Sequence, residues 1–221
     1  MNRTYTNVIL AIVVVILLCI FIVVLRSPSS PNLPAVISVA TSTIQSETPI
    51  YSIKADYPVF GIPDLDSQIL EAVNVGVSNI EGTPANPSPN GIKNEFISSY
   101  DSVYTDANIA SARLILSEYT GGAHNISVAV GFNYDRKAEK LLTLDDALAF
   151  TGDSLAQVAT LAKTQLTKQF GAVQFPEGLD PTPENFATFV VNKDSVIFTI
   201  QEYQAEPFSD GMPEIVIPRV R

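Results

Sequence analysis

The 221-residue sequence predicts an α+β domain: a largely antiparallel β-sheet with two main helices packed on it, preceded by one N-terminal transmembrane helix. Three observations predict it. Residues 8–25 are all apolar, and at about 1.5 Å per residue they span roughly 27 Å, close to the hydrocarbon thickness of a bilayer. After residue 50 the apolar pattern switches between a period of two and a period near 3.6, the marks of strands and helices. The strand-like runs are joined by short turns rich in Gly and Asn, which favour antiparallel neighbours.

The apolar run is longer than the about 7–15 residues of a signal-peptide core, and Arg26 follows it directly. Arg3 and the amino terminus set against Arg26 place the N-terminus inside, so residues 1–7 read as a cytoplasmic tail and everything after the run as exported. Cys19 is an apolar filler within it. Residues 26–49 carry Pro28, Pro31, Pro34 and many Ser and Thr, with no charge between Arg26 and Glu47, and read as a linker.

The domain expected over 50–221 divides into halves at 50–108 and 109–218. Tyr51, Ile53, Ala55, Tyr57 and Val59 alternate with Ser52, Lys54, Asp56 and Pro58, the pattern of a half-buried strand. Leu65, Ile69, Val73, Val77 and Ile80 then share one helical face, with Asp64 or Asp66 as the cap. Gly82, Pro84, Pro87, Pro89 and Asn90-Gly91 force a loop. Strands are expected over 96–104, 109–119 and 126–134. The last two are joined by Thr120-Gly121-Gly122-Ala123, whose glycines suit a hairpin turn. Asp153 opens a second helix, with Leu155, Val158, Ala162 and Phe170 as core positions and Gly171 as its stop. A hairpin of 186–191 and 196–203 turns at Asn192-Lys193-Asp194, and 215–217 forms the last strand.

Charge and scarcity exclude much chemistry. Beyond residue 26 the sequence carries 11 basic and 23 acidic residues, a net of −12, which repels nucleic acid and anionic headgroups. With one Cys and one His, His124, neither a disulfide framework nor a Cys/His metal cluster can form within one chain, and no cofactor is expected. Gly152-Asp153-Ser154-Leu155 spells an esterase signature, but no His follows to serve as base, so it reads as a helix start with Asp153 as cap. The acidic pairs Asp64/Asp66 and Asp145/Asp146 also sit at helix starts, where the dipole favours them. No catalytic residue is assigned. A carboxylate-dependent cell-wall hydrolase and a purely structural envelope protein stay open as alternatives. His124 follows the Gly-Gly turn, placed either to bond the turn's backbone or to meet a ligand.

Tyr119-Thr120-Gly121-Gly122-Ala123-His124, then Phe132-Asn133-Tyr134-Asp135 and Leu142-Thr143-Leu144-Asp145-Asp146, form an ordered set of motifs. Phe189, Val196, Phe198, Tyr203-Gln204-Ala205-Glu206-Pro207-Phe208, Gly211 and Glu214-Ile215-Val216-Ile217-Pro218 continue it. Together they resemble the extracytoplasmic domain shared by RsiV-type anti-sigma factors and PdaC-type peptidoglycan deacetylases, a domain of unknown function. The clear resemblance covers 109–218, and Tyr57-Pro58 leading into a helix is similar to its usual first half. It implies an α+β fold on the outside of a bacterial cytoplasmic membrane and a non-enzymatic binding or sensing role. The implied partners are peptidoglycan or a basic protein such as lysozyme. Tyr119, Gly121, Gly122, His124 and Tyr203 are the binding candidates. Seven residues before the apolar run cannot hold a sigma factor, so no anti-sigma role is expected, and the deacetylase domain with its several His is absent from this sequence.

Overall fold

The structure is a computed structural model, and it describes residues 37–86 and 91–220. The expected tail, the expected transmembrane helix at 8–25 and the first part of the expected linker lie outside the described residues. No helix among the described residues is long and apolar enough to cross a membrane.

A six-stranded sheet runs in chain order through β1 (Ala40–Glu47), β2 (Tyr51–Val59), β3 (Asn94–Thr105), β4 (Ile109–Tyr119), β5 (Ile126–Asp135) and β6 (Lys140–Leu141). Helix α1 (Pro63–Gly82) crosses between β2 and β3, so that pair is parallel, as a crossover connection permits; every other neighbouring pair is antiparallel. Two consecutive helices follow, α2 (Leu144–Thr151) and α3 (Leu155–Phe170). A separate antiparallel sheet of β7 (Phe189–Val191), β8 (Ser195–Thr199) and β9 (Glu214–Pro218) completes the fold. The α+β class holds, with three α-helices among the described residues.

Several expectations need correction. The stretch expected as linker up to residue 49 enters the domain at Ala40, because β1 pairs along its whole length with the outer edge of β2. Its Ser/Thr-rich composition looks like a spacer, yet Thr is a good strand residue once a partner edge exists. The strands form two sheets rather than one, and the helices divide between them. Asp66 does not cap α1: its carboxylate accepts from the backbone N–H groups of Phe60 and Gly61 at 2.7 and 2.8 Å, fixing the turn before the helix. Ile62, at the cap position, offers no side-chain bond, and Pro63 opens the helix without needing an N–H partner. Ser154, rather than Asp153, caps α3 through a reciprocal box with Gln157; Thr143 and Asp146 do the same for α2. The motif Gly152 to Leu155 is therefore a left-handed stop for α2 followed at once by the start of α3.

Strand alternation sends the two faces of the large sheet to different neighbours. On one face Ile53, Ala55, Phe96, Ala112 and Leu114 pack under Leu65, Ile69, Val73 and Ile80 of α1. Gly76 lets the helix close on the sheet, since a Cβ there would overlap the buried Phe96 ring. The small sheet has its own core, in which Phe198, Ile215 and Ile217 meet Val158, Ala162 and Leu166 of α3.

β7 lies against the other face of the large sheet, where a Cβ on Gly131 of β5 would overlap the Phe189 carbonyl oxygen. Asn133 of β5 bonds the free edge of β7 as a strand would: its Nδ2 donates to Phe189 O at 2.8 Å, and its Oδ1 accepts from Val191 N at 2.9 Å. Gln165 of α3 closes the outer edge of β9 in the same way through Val216 N and O. Side-chain amides thus satisfy edges that would otherwise recruit foreign strands. Arg113 ties the sheets together. Its guanidinium makes a two-pronged bond to Asp101 at 2.8 Å and reaches Thr199 at 3.0 Å and Glu214 at 2.6 Å.

Candidate functional site

β4 and β5 remain paired as far as Glu118 and Ile126, and the intervening turn carries Gly121 at φ +109° and Gly122 at φ +119°. Side chains rarely adopt those values, so the pair of glycines is what lets the hairpin reverse here. The Tyr119 hydroxyl donates to Gly122 O at 3.2 Å and ties the turn to β4. His124 then returns the chain to β5. Its Nδ1 lies 2.7 Å from the Asn125 carbonyl, which can only accept, so this nitrogen carries the proton. In the neutral ring Nε2 is left to accept the Tyr203 hydroxyl at 3.1 Å.

Tyr203 comes from the turn that follows β8. The backbone of β5 near the hairpin tip has no neighbouring strand beyond it, because β6 pairs only with Tyr134 and Asp135. Gln201 fills that place. Its Oε1 accepts from Ala129 N at 2.9 Å and its Nε2 donates to Ala129 O at 2.8 Å, while Glu202 accepts from Ser127 N at 3.1 Å. Gln204 holds the turn from behind, donating to Gly178 O and Asn185 O. These bonds keep Tyr203 at φ +62°, a left-handed conformation that a non-Gly residue keeps only when its surroundings fix it.

A short helical turn, 208–210, adds Phe208, whose ring stacks on His124 with centroids 3.7 Å apart and planes 18° apart. Tyr203 stacks on Phe208 at 5.8 Å. His124 and Phe208 are half-buried, whereas Tyr203 is 52% exposed and presents its ring to solvent. In the chain between Tyr203 and Phe208 stands Glu206, only 1% exposed, with no donor at hydrogen-bonding geometry to either carboxylate oxygen. Burial pushes its pKa up and Asp210 adds to the rise, while the Gln174 backbone N–H acts in the opposite direction.

Of the sequence candidates, the fold brings His124 and Tyr203 into direct contact from residues far apart in the chain. Gly121 and Gly122 shape the turn beside them. Tyr119 is not in the ring cluster; it points to the same end of the sheet but along β4. Phe208, Gln201 and Glu202 were not anticipated as site residues. Phe208 stood inside the quoted Tyr203–Phe208 motif, yet nothing local says that it folds back onto a histidine 84 positions earlier. One member of each acidic pair is engaged structurally: Asp66 as above, and Asp146 with Thr143 and with Lys140, whose bond does most to lower its pKa.

Fold and site define a class: an α+β domain in which the loop after the penultimate strand docks an aromatic cluster on the tip of a central hairpin. Residues 147–219 match the model of a family described as "Protein of unknown function (DUF3298)". It is 24% identical over 188 residues to the peptidoglycan-N-acetylmuramic acid deacetylase PdaC of Bacillus subtilis, a match covering 82% of this chain but 40% of the deacetylase. It is 25% identical over 182 residues to the immunogenic proteins MPB64 of Mycobacterium bovis and MPT64 of Mycobacterium tuberculosis, covering 80% of this chain and 78% of each. Crystal structures of DUF3298 proteins from Bacteroides fragilis and Pseudomonas aeruginosa share the fold, with TM-scores of 0.58 and 0.53 at 18% identity. Each match covers 85% of this chain and 92% of the other.

Proposed function

We propose that this chain is a membrane-anchored, extracytoplasmic binding module for cell-wall glycan, with no catalytic activity of its own. The observation that carries the reading is the exposed Tyr203 ring, braced by Phe208 and His124 on a loop fixed at both ends. A sugar ring presents C–H groups on its faces and hydroxyls around its rim, so it suits an aromatic face bordered by polar groups. Here Glu202, Asn125 and the Tyr203 hydroxyl form that border. Because the loop is already ordered, little conformational entropy is lost on binding. The name of the deacetylase relative, which acts on peptidoglycan, supports the ligand class, and the apolar run at 8–25 supports the anchor.

The test is co-sedimentation of the full chain, in a neutral detergent, with purified peptidoglycan. Tyr203→Ala is expected to weaken retention about tenfold, equivalent to about 1.4 kcal/mol, within the range of one aromatic stacking contact. Absence of retention of the unaltered chain overturns the reading, and release of soluble sugar fragments would favour the hydrolase. A second reading, capture of a basic protein such as lysozyme, is favoured by the −12 charge beyond residue 26. Its mark is retention on immobilised lysozyme that falls with salt and ignores Tyr203→Ala.

A further inference from the structure

At the hairpin-tip end of the large sheet, strand registers align one residue from each of four neighbouring strands. Glu47 of β1 pairs with Ser52 of β2, Ser52 with Glu95 of β3, and Glu95 with Tyr119 of β4. In-register partners point to the same face, so these four side chains form a row across the strands, on the face opposite α1. Asn125 continues it just before β5 begins. At about 4.8 Å per strand the row is roughly 19 Å long. It leads directly to the aromatic cluster, since the Asn125 backbone carbonyl is what holds His124. Further along this face β7 covers the sheet, while here Ser52, Ile92, Lys93, Glu95, Tyr119 and Asn125 line a cavity of about 390 Å³, within the range of small-ligand sites.

The charges in this cavity do not balance. Lys93 is paired with Glu47, and the Ser52 hydroxyl also bonds Glu47, together holding that carboxyl below its ordinary range. Glu95 has no hydrogen bond or ion pair among the described residues, and it sits beside the Tyr119 ring. That ring is fixed by its hydroxyl bond to Gly122. Asn125 donates from Nδ2 to Ser117 at 3.3 Å, leaving its Oδ1 without a donor. One unpaired carboxylate, one aromatic face and one free amide oxygen thus converge on a cavity that adjoins the glycan site.

We infer that this cavity is a subsite for an amino sugar whose nitrogen is free rather than acetylated, the ammonium meeting Glu95, the ring lying on Tyr119 and a hydroxyl donating to Asn125. This rests on the glycan reading and adds a selectivity to it: the chain prefers N-deacetylated glycan. An acetylated nitrogen would offer Glu95 a single uncharged N–H and leave its charge uncompensated, while a carboxylated sugar would be repelled.

The experiment compares a glucosamine hexamer with an N-acetylglucosamine hexamer by calorimetry on the full chain in neutral detergent. The deacetylated oligomer is expected to bind about tenfold more tightly, the worth of one charge-assisted hydrogen bond. Glu95→Gln should erase the difference by weakening the glucosamine hexamer alone, with an unchanged melting temperature because Glu95 bonds nothing in the fold. Equal affinity for the two oligomers, or a preference that survives Glu95→Gln, overturns the inference while leaving peptidoglycan retention intact. A lysine hexapeptide that competes as well as the glucosamine hexamer also overturns it. If neither oligomer nor peptidoglycan binds, the glycan reading falls with it.

Discussion

Replacing Glu206 with Met should stabilise this protein at neutral pH. The carboxyl group is buried within the turn that carries Tyr203 and Phe208, and no donor stands at hydrogen-bonding geometry to either oxygen. An unsatisfied buried polar group costs about 1–3 kcal/mol, more if charged. Met has similar length, no branch at Cβ and no hydrogen-bonding demand, so it fills the same space and removes that cost. For a domain of this size about 1 kcal/mol moves the melting temperature by roughly 2–4 °C, so Glu206→Met should melt about 2–12 °C higher at pH 7. The pH dependence follows from the direction of the shift. Burial raises the Glu206 pKa, so the folded state holds the proton more tightly than the unfolded chain does. The associated stability is complete below the ordinary carboxyl pKa and is lost as pH rises from there through the raised value. Other carboxylates such as Asp146 and Glu47 have lowered values and act oppositely, so the readout is the difference between the two proteins. Calorimetric melts of both from pH 3.5 to 8 should show a gap that narrows on acidification. A variant that melts lower at pH 7, or a gap independent of pH, would refute the assignment of Glu206 as an uncompensated buried acid.

Three further outcomes test the architecture around the site. Gly131→Ala places a Cβ onto the Phe189 carbonyl oxygen where β5 meets β7, so stability should fall by about 3 kcal/mol, at the upper end of overpacking costs; a denaturant midpoint within error of the parent would contradict that crossing. Gly178→Ala puts a Cβ against the Gln204 carbonyl and should displace the Tyr203 turn, reducing peptidoglycan retention by a larger factor than it reduces global stability; retention at the parental level would mean the turn is not held from behind. Arg113→Met removes bonds to Asp101, Thr199 and Glu214. Because both carboxylates are partly exposed and can rehydrate, the loss should be about 1–2 kcal/mol rather than the 3–5 of a fully buried pair, as urea unfolding would report.

Much of the fold follows from local pattern. The alternation at Tyr51–Val59, the apolar stripe of α1, and the two runs flanking Gly121-Gly122 gave elements whose bounds the structure matches closely. Capping boxes were also readable in principle, since Thr143 and Ser154 stand three residues before Asp146 and Gln157. What escaped were features made by distant partners. β1 looks like spacer until β2 offers it an edge. Asn133, Gln165 and Gln201 are ordinary polar residues in the sequence, and only the edges they meet turn them into strand substitutes. His124 drew attention because it is the lone histidine. Its partners Tyr203 and Phe208 come from a loop that Gln201 and Glu202 fasten to β5, contacts separated by more than 70 positions.

The sequence alone determined the material of this protein. It set apart an uninterrupted apolar run from an acidic domain of net charge −12, named the α+β class, and removed metal and nucleophile chemistry that needs more than one His or Cys. Those properties depend on residue type and short spacing, which the chain carries however it folds. Tertiary structure decided the rest: two sheets rather than one, a buried acid without a partner, an aromatic cluster on the hairpin tip, and a row from Glu47 to Tyr119 that holds the unpaired carboxylate of Glu95. Each of these depends on which edge finds which strand and in what register, and register fixes the face every side chain presents.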